Sequence, residues 1–301
     1  MIHLFAVLGT LMISFSAIFV RLADVSASTS AFFRTAYALP VLGILCWLVR
    51  RRDRRRASAR WLAFVSGLLL GADLNFWHRA IPLIGAGLST VLGNTQVVFV
   101  GLAAWILYGE RPRPRALLLV PLVILGVVFI SGLGQADAYG ERPLLGVAFG
   151  ALTGLTYAAF LLLFRASNRE LAPVAGPLLD ATAGAALSSL VIGLLEGGID
   201  WTPAWPSWGW LLALALGSQV IGWLLISVAL PRLAALETSV LLPMQPVGTL
   251  IWSYLIFSDN LSPVQWLGAG LVLGGVGALS ILGSVERGVS RQDAKTQRTQ
   301  S

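Results

Sequence analysis

Residues 80–100 read AIPLIGAGLSTVLGNTQVVFV and align without a gap with residues 229–249, which read ALPRLAALETSVLLPMQPVGT. The same offset of 149 positions holds as far as residue 130. Polar and proline positions coincide in this alignment, for example Gln96 with Gln245, and a shared preference for apolar residues would not align them. The chain therefore contains an internal duplication.

The composition indicates that the solvent of this duplicated chain is lipid. Of its 301 residues, 56% are hydrophobic and 12% are charged, and the mean hydropathy is +0.80. One soluble core cannot hide so many apolar residues. A helix that crosses hydrocarbon needs roughly 20 mostly apolar residues. Ten such segments are predicted, at about 3–20, 30–49, 61–79, 84–107, 116–133, 144–164, 174–195, 208–229, 236–257 and 263–283.

Basic residues predict the orientation, because cytoplasmic loops carry an excess of Lys and Arg. The loop at 50–60 is the richest in arginine, whereas only Arg21, Arg79 and Arg142 fall on the opposite side. Both termini are therefore predicted to be cytoplasmic. The net charge of +7 reflects this topology, and it gives no reason to expect a nucleic-acid partner.

Five helices per repeat is an odd number, so the second repeat is predicted to enter the membrane from the opposite side. The predicted units are a first five-helix repeat at 1–134, an inverted second repeat at 135–285 and a disordered cytoplasmic tail at 286–301. Inverted repeats allow a site at the membrane midplane to open alternately to each side. We therefore expect an all-α membrane protein with ten transmembrane helices, built as two inverted five-helix repeats.

Four sequence motifs lead to a family. They are DLNFWH at 73–78, GNTQVVFV at 93–100, GER at 109–111, and ETS at 237–239 followed by QP at 245–246. In this order the chain resembles the EamA branch of the drug/metabolite transporter superfamily over nearly its whole length. The resemblance implies a multi-pass carrier of the bacterial inner membrane that exports metabolites, amino acids or drugs. It implies no cofactor.

One motif departs from the family pattern. Where the family typically has Gly-Glu at the end of the ninth helix, this chain has Ser258-Asp259, while the first repeat keeps Gly109-Glu110. Both acidic residues lie at predicted helix ends. We therefore expect them to cap the helix or orient the following loop, and we assign them no chemistry.

Ionisable residues inside the predicted spans are site candidates, because a charge in lipid is costly unless it faces protein or water. Asp73 lies near the middle of the third segment, and no basic residue lies one turn away along that helix. We predict proton coupling at Asp73, with a structural hydrogen bond as the alternative. Glu237 is the second proton-coupling candidate, although the amides and dipole of a helix N-terminus also favour a carboxylate there.

The remaining ionisable residues of the spans have simpler expected roles. Arg34 and Asp180 are expected near the ends of their helices, where snorkelling or a loop contact is sufficient. His78 is expected to be a packing residue. The only other histidine is His3 and the only cysteine is Cys46, so no metal site built from His and Cys is predicted.

Gln96 and Gln245 occupy equivalent positions in the two repeats, and we predict that they face each other across a central cavity. Paired amides there would bind a polar small-molecule substrate, or they would tie the two halves together. The other predicted substrate-binding residues on the cavity wall are Asn75, Trp77, Asn94, Tyr157 and Trp223.

Regularly spaced small residues predict close helix packing. Gly67 and Gly71 lie four positions apart, which lets two helix backbones approach each other. Gly270, Gly274 and Ala278 form a similar stripe on the tenth segment. A homodimer through that stripe is one expectation.

An intramembrane enzyme, a channel and a passive scaffold are the competing interpretations. The sequence has no zinc-protease, nucleophile-elbow or phosphate-loop motif, so no catalytic residue is assigned. Rings of pore charge are also missing, and a scaffold does not explain Asp73 and Gln96 in lipid. We therefore predict a secondary transporter in the lipid bilayer, with a channel or a non-transport scaffold as the alternative.

Overall fold

The computed structural model describes residues 2–108, 114–130, 139–167, 173–229, 235–279 and 281, without the side chains of 104, 107, 108, 114–117 and 235–243. The described elements are all helical, which confirms the predicted all-α class. In chain order they are α1 Ile2–Ser14, α2 Ser16–Ala23, α3 Ala27–Ala36, α4 Ala38–Val49, α5 Ala57–Gly93, α6 Gln96–Tyr108, α7 Pro114–Ile130, α8 Pro143–Ser167, α9 Ala175–Leu195, α10 Ser207–Ala213, a π-helical segment Leu214–Gly222, α11 Trp223–Ala229, α12 Ala235–Phe257 and α13 Pro263–Leu279.

Several of these helices are long and apolar enough to cross a membrane. Within the described residues there are six such spans, at Ile2–Ala23, Ala27–Arg52, Ala57–Ala103, Pro143–Ser167, Ala175–Leu195 and Ser207–Ala229. Leu118–Ile130 and Pro263–Leu279 are shorter apolar helices. The protein is therefore a multi-pass membrane protein. The count of ten crossings, the inverted repeat and the cytoplasmic termini stay predictions, and the motif at 109–111 and the tail at 286–301 lie outside the described residues.

The third and fourth predicted segments meet without a loop. Two helical stretches of α5 meet at a kink, where the one residue with non-helical dihedrals is Gly85, with φ 82° and ψ 160°. Glycine reaches this region without the steric cost that a Cβ atom brings. A Cβ atom at Gly85 would also lie 2.8 Å from Cε1 of Tyr139. The helix direction therefore changes at one residue, against which Tyr139 packs.

Helices α5 and α9 touch through their backbones. A Cβ atom at Gly67 would lie 1.9 Å from the carbonyl oxygen of Ala181, and one at Gly184 would lie 2.0 Å from that of Phe64. The predicted close packing at Gly67 is thus confirmed. Further along the same contact, Asn75 Nδ2 donates hydrogen bonds to the carbonyl of Gly71 and to Ser189 Oγ, at 2.8 and 3.2 Å.

The stretch from Ser207 to Ala229 is not uniformly α-helical. Its middle part, Leu214–Gly222, is π-helical and lies between α10 and α11. A π-helical turn holds more residues than an α-helical turn, and such turns occur often at functional sites. Gln219 lies in this segment and is completely buried.

Candidate functional site

A buried arginine lies at the centre of the candidate site. Arg34 belongs to α3, whose first turn is capped by Ser26 accepting a 3.1 Å hydrogen bond from the amide of Thr29. The expectation that Arg34 reaches a helix end by snorkelling is wrong, because its exposed fraction is only 4%. Since α3 continues almost directly into α4, Arg34 lies inside one span rather than at its end.

Polar side chains from other helices hold the guanidinium in place. Arg34 Nε donates to Gln219 Oε1 at 3.0 Å, and Arg34 Nη1 donates to Ser16 Oγ at 2.8 Å. Gln219 Nε2 in turn donates to Thr182 Oγ1 at 3.2 Å. Four separate elements, α2, α3, α9 and the π-helical segment, therefore contribute to one hydrogen-bonded chain.

Asp73 supplies the opposite charge. It lies on α5 with an exposed fraction of 6%, and its charge interacts with that of Arg34. No hydrogen bond joins these two described side chains. Asp73 Oδ1 is buried and has no hydrogen-bond partner among the described residues. The cation that is missing from the sequence neighbourhood of Asp73 thus comes from another helix.

Aromatic rings surround this pair of charges. Arg34 Cζ lies 5.7 Å from the ring centroid of Trp77, within the range of a cation–π contact. The other two predicted aromatic wall residues, Tyr157 and Trp223, both contact Phe160. The ring centroid of Phe160 lies 5.7 Å from that of Tyr157 and 5.9 Å from that of Trp223. All four rings belong to one core cluster. The structure therefore brings together Asp73, Trp77, Tyr157 and Trp223 from the predicted site.

The predicted amide pair, Gln96 and Gln245, is not connected by a described hydrogen bond. Gln96 Oε1 is buried without a partner in the described structure. Gln245 accepts a hydrogen bond from Thr249 Oγ1 through its main-chain oxygen at 3.0 Å. Asn94 follows α5 and donates to the carbonyl of Thr90 at 2.9 Å. These three residues are separate from the hydrogen-bonded chain around Arg34.

Three other predicted residues have diverse surroundings. Asn75 lies in the contact between α5 and α9, although its Oδ1 atom has no partner among the described residues. His78 Nδ1 pairs with Ser30 Oγ at 2.8 Å, while its Nε2 is buried and unpartnered in the described part of the chain. The backbone of Glu237 lies in α12, and its side chain is outside the described residues.

Sequence reasoning missed Ser16, Thr182 and Gln219, and it assigned Arg34 to a helix end. Gln219 carried the clearest signal, because it is an amide within the strongly apolar predicted segment at 208–229. Ser16 and Thr182 carried none, since hydroxyl residues are common in membrane helices. No group of three or more His, Cys, Asp or Glu side chains that would hold a metal is found among the described residues.

Comparison with known proteins places the chain in a family. The profile of the EamA-like transporter family matches residues 1–132 and again residues 144–281. The chain belongs to the EamA-like transporter family. This family lies within the drug/metabolite transporter superfamily, so the resemblance found in the sequence motifs is confirmed.

Relatives of this EamA-like transporter include proteins that are themselves named as uncharacterized transporters. One from Synechocystis sp. is 25% identical over 221 residues, which are 70% of this chain and 64% of that protein, so the chain spans just under two thirds of that relative's length. One from Archaeoglobus fulgidus is 22% identical over 270 residues, covering 90% and 93% of the two chains. Both relatives are thus named as transporters.

Two further similarities extend the comparison. A probable 4-amino-4-deoxy-L-arabinose-phosphoundecaprenol flippase subunit of Salmonella paratyphi B is 30% identical over 101 residues, which are 32% of this chain and 90% of that subunit. A solved crystal structure superposes with a TM-score of 0.62 at 18% identity, covering 93% of this chain and 97% of that chain. The latter is a likeness of fold alone.

Proposed function

We propose that this EamA-like transporter is a secondary transporter that carries small polar solutes past Arg34 and Asp73 by alternating access. The observation that carries this proposal is the burial of these two opposite charges in one membrane protein, without a hydrogen bond between them. Charges in a membrane interior are costly, and they commonly mark solute or ion pathways. Gln219 and Ser16 hold the guanidinium in a fixed orientation, as a binding site requires.

The polar atoms of Asp73 and Arg34 suggest the class of solute that would bind. Asp73 Oδ1 has no described partner, and the two described hydrogen bonds of Arg34 are donated by Nε and Nη1. A guanidinium suits a carboxylate or a phosphate, and a carboxylate suits an ammonium group. The rings of Trp77 and Tyr157 add apolar surface. A small metabolite with an anionic group, a cationic group and a short apolar body fits this combination.

The direction and the architecture are part of the same proposal. The two stretches that match the family, 1–132 and 144–281, support two repeats, which we place at 1–134 and 135–285 in opposite orientations. Rocking of the repeats about the central site would expose it to each side in turn. We propose export from the cytoplasm across a bacterial inner membrane, with the arginine-rich loop at 50–60 on the cytoplasmic side.

Proton coupling through Asp73 or Glu237 is the proposed energy source. Asp73 Oδ1 is free to accept a proton within the described structure, and Glu237 is a second carboxylate within an apolar segment. Glu237→Gln is expected to keep solute exchange at equal concentrations, whereas Asp73→Asn is expected to weaken it, because Asp73 is also part of the proposed solute site. In one of the two variants, the exchange that remains no longer responds to a pH gradient. Transport that ignores a collapsed pH gradient in the parent protein, and in both variants, would show that no proton is coupled.

A ligand screen followed by counterflow tests the proposal. The purified protein is heated with amino acids, organic cations, nucleosides and sugar phosphates, since a ligand at 100 times its Kd stabilises by about 2.7 kcal/mol. Any solute that stabilises the protein is then measured in liposomes, with Arg34→Gln beside the exposed control Arg142→Gln. We expect saturable exchange that is accelerated by solute on the far side and is lost only in Arg34→Gln.

The same assay separates the alternatives. A channel conducts the solute without acceleration by solute on the far side, a scaffold gives no exchange, and an enzyme changes the solute chemically. Exchange that is equally fast in Arg34→Gln and in the parent protein would remove Arg34 from the pathway. It would thereby remove the central site from the proposal.

A further inference from the structure

Two clusters of charged and hydroxyl side chains lie at opposite ends of the helix bundle. The inner cluster consists of Asp53, Arg55 and Asp180, and the outer cluster consists of Arg21, Tyr139, Ser253 and Asp259. Helix α5 begins at Ala57, directly after the inner cluster, and its break at Gly85 touches the outer cluster. At about 1.5 Å per residue this stretch is roughly 40 Å long. The two clusters are therefore separated by about the full thickness of a bilayer.

The outer cluster is centred on a buried carboxylate. Arg21 Nη1 donates to both oxygens of Asp259, at 2.6 and 2.8 Å, and the exposed fraction of the Asp259 side chain is 4%. Tyr139 and Ser253 donate hydroxyl hydrogen bonds to the same carboxylate. Burial and the contact with Asp259 raise the pKa of Tyr139 to about 12. Tyr139 is therefore a neutral donor at pH 7.

Neighbouring residues hold Asp259 and Tyr139 of the outer cluster in place. A Cβ atom at Gly85 would lie 3.0 Å from Asp259 Oδ2, so the break in α5 presses directly against the carboxylate. Gln265 accepts from the amide of Tyr139 at 2.8 Å and donates to its carbonyl at 3.1 Å. The backbone of Tyr139 is thereby fixed over the end of the bundle.

The inner cluster is built from a loop arginine that is not exposed. Arg55 Nη1 lies 2.9 Å from Asp180 Oδ2, and the exposed fractions of the two side chains are 2% and 14%. Arg55 also donates from Nε and Nη2 to the two oxygens of Asp53, both at 2.9 Å. A Cβ atom at Gly176 would lie 2.5 Å from Arg55 Nη2, so the guanidinium is pressed against the first turn of α9.

Each cluster connects the two sequence halves. Arg21 and Arg55 precede residue 134, and their partners Asp259 and Asp180 follow residue 135. Asp73 of the candidate site lies on α5 between Ala57 and Gly85, and therefore between the two clusters along the bundle. A further ion pair, Arg79 with Glu196, also lies at the outer end, but the Glu196 side chain is 44% exposed and such pairs contribute little.

We propose that the outer and inner clusters are the two gates of the transport path, and that the structure is the closed state in which both ion pairs are formed. This inference rests on the proposed alternating access. A carrier opens to one side at a time, so each half-cycle breaks one ion pair while the other pair holds. Solute in the central site leaves outward when Arg21 separates from Asp259, and inward when Arg55 separates from Asp180.

Sided labelling of a reporter cysteine tests the gates without any solute. Cys46→Ser removes the one native cysteine, and Tyr157→Cys then places a thiol beside the central site. A membrane-impermeant maleimide is applied to right-side-out and to inside-out vesicles. Each gate variant has a control with the same substitution at a neighbouring or equivalent exposed arginine: Arg21→Gln is compared with Arg142→Gln, and Arg55→Gln with Arg54→Gln.

The two gate variants are expected to speed labelling from opposite faces of the membrane. Arg21→Gln speeds labelling from the outer face several-fold, Arg55→Gln does the same from the inner face, and the two controls label at the parent rate. The swap Arg21→Asp with Asp259→Arg restores an ion pair and returns outer labelling toward the parent rate, which separates an opened gate from a misfolded protein. Unchanged labelling, or a change on the same side in both gate variants, overturns the proposal.

Counterflow measured on the same gate variants without the reporter keeps the two proposals apart. If the two variants label faster from opposite faces but exchange none of the screened solutes, the gates are upheld and the result counts against the proposed transport. Exchange that persists while labelling never shifts would uphold transport and reject these gates.

Discussion

Arg34 Nε donates a 3.0 Å hydrogen bond to Gln219 Oε1, and this bond joins α3 to the π-helical segment. The same guanidinium reaches Ser16 on α2 at 2.8 Å, so one buried cation connects helices from both halves of the sequence. Asp73 balances its charge without a hydrogen bond to it. The result is a pair of buried charges that other residues hold in place and that share no hydrogen bond of their own.

The interdependence of Arg34 and Asp73 is the first prediction. Either Arg34→Gln or Asp73→Asn leaves one buried charge without its counterpart, and breaking a buried ion pair in this way costs at most about 3–5 kcal/mol. The double variant carries neither charge and is expected to lose much less than the sum of the two single losses. Thermal unfolding of the three variants in detergent measures this. Strictly additive losses would show that the two charges do not interact.

The anchoring role of Gln219 is the second prediction. Gln219→Leu removes the acceptor of Arg34 Nε and the donor to Thr182, and leaving such buried groups unpaired costs about 1–3 kcal/mol. Gln245→Leu is the matched control, because no described hydrogen bond involves the Gln245 side chain. Unfolding temperatures that fall equally in both variants would mean that the bond to Arg34 contributes nothing specific.

The amides that the duplication places at equivalent positions give a third prediction. Gln96→Ala and Gln245→Ala are expected to raise KM for the solute without lowering the unfolding temperature, because neither amide is tied to another side chain by a described hydrogen bond. KM is obtained from initial rates of counterflow. An unchanged KM in folded protein would assign both amides to packing.

The backbone contact between α5 and α9 gives a fourth prediction. Gly67→Ala would place its Cβ atom 1.9 Å from the carbonyl oxygen of Ala181, and overpacking of this kind costs about 1–3 kcal/mol or more. Gly43→Ala, in α4, meets no atom of the described residues within 4 Å and is expected to be neutral or stabilising by roughly 0.5–1 kcal/mol. Comparable yields and unfolding temperatures for both variants would contradict this account.

Acid dependence gives a fifth prediction. The side-chain hydrogen bonds from Arg55 lower the pKa of Asp53, which lies in the loop outside the spans. A lowered folded-state pKa contributes stability that is present above the unfolded value of about 3.9 and is lost as the pH falls through the folded value. Asp53→Asn is therefore expected to melt below the parent protein at pH 7, and the gap should close below about pH 4. A gap that is constant across this range would rule out the carboxylate as its source.

The all-helical fold class and the family could be predicted from the sequence, because both depend on local stretches of residues. Apolar runs specify helices wherever they lie, and the motif at 73–78 is contiguous. The partner of Asp73 was hidden for the opposite reason, because Arg34 lies on a different helix and only tertiary packing brings the two charges together. The glycine at the kink in α5, Gly85, is visible in the sequence, but its contact with Tyr139 is not, because Tyr139 is far away in sequence.

Arg55 also imposes an order on biosynthesis. It belongs to the arginine-rich loop that is expected to orient the early helices as they are inserted, when its guanidinium must still face water. Its partner Asp180 lies on α9, which leaves the ribosome only after α5 to α8 have been made. The burial of Arg55 is therefore a late event, and a truncated chain that ends before α9 would display this charge at its surface.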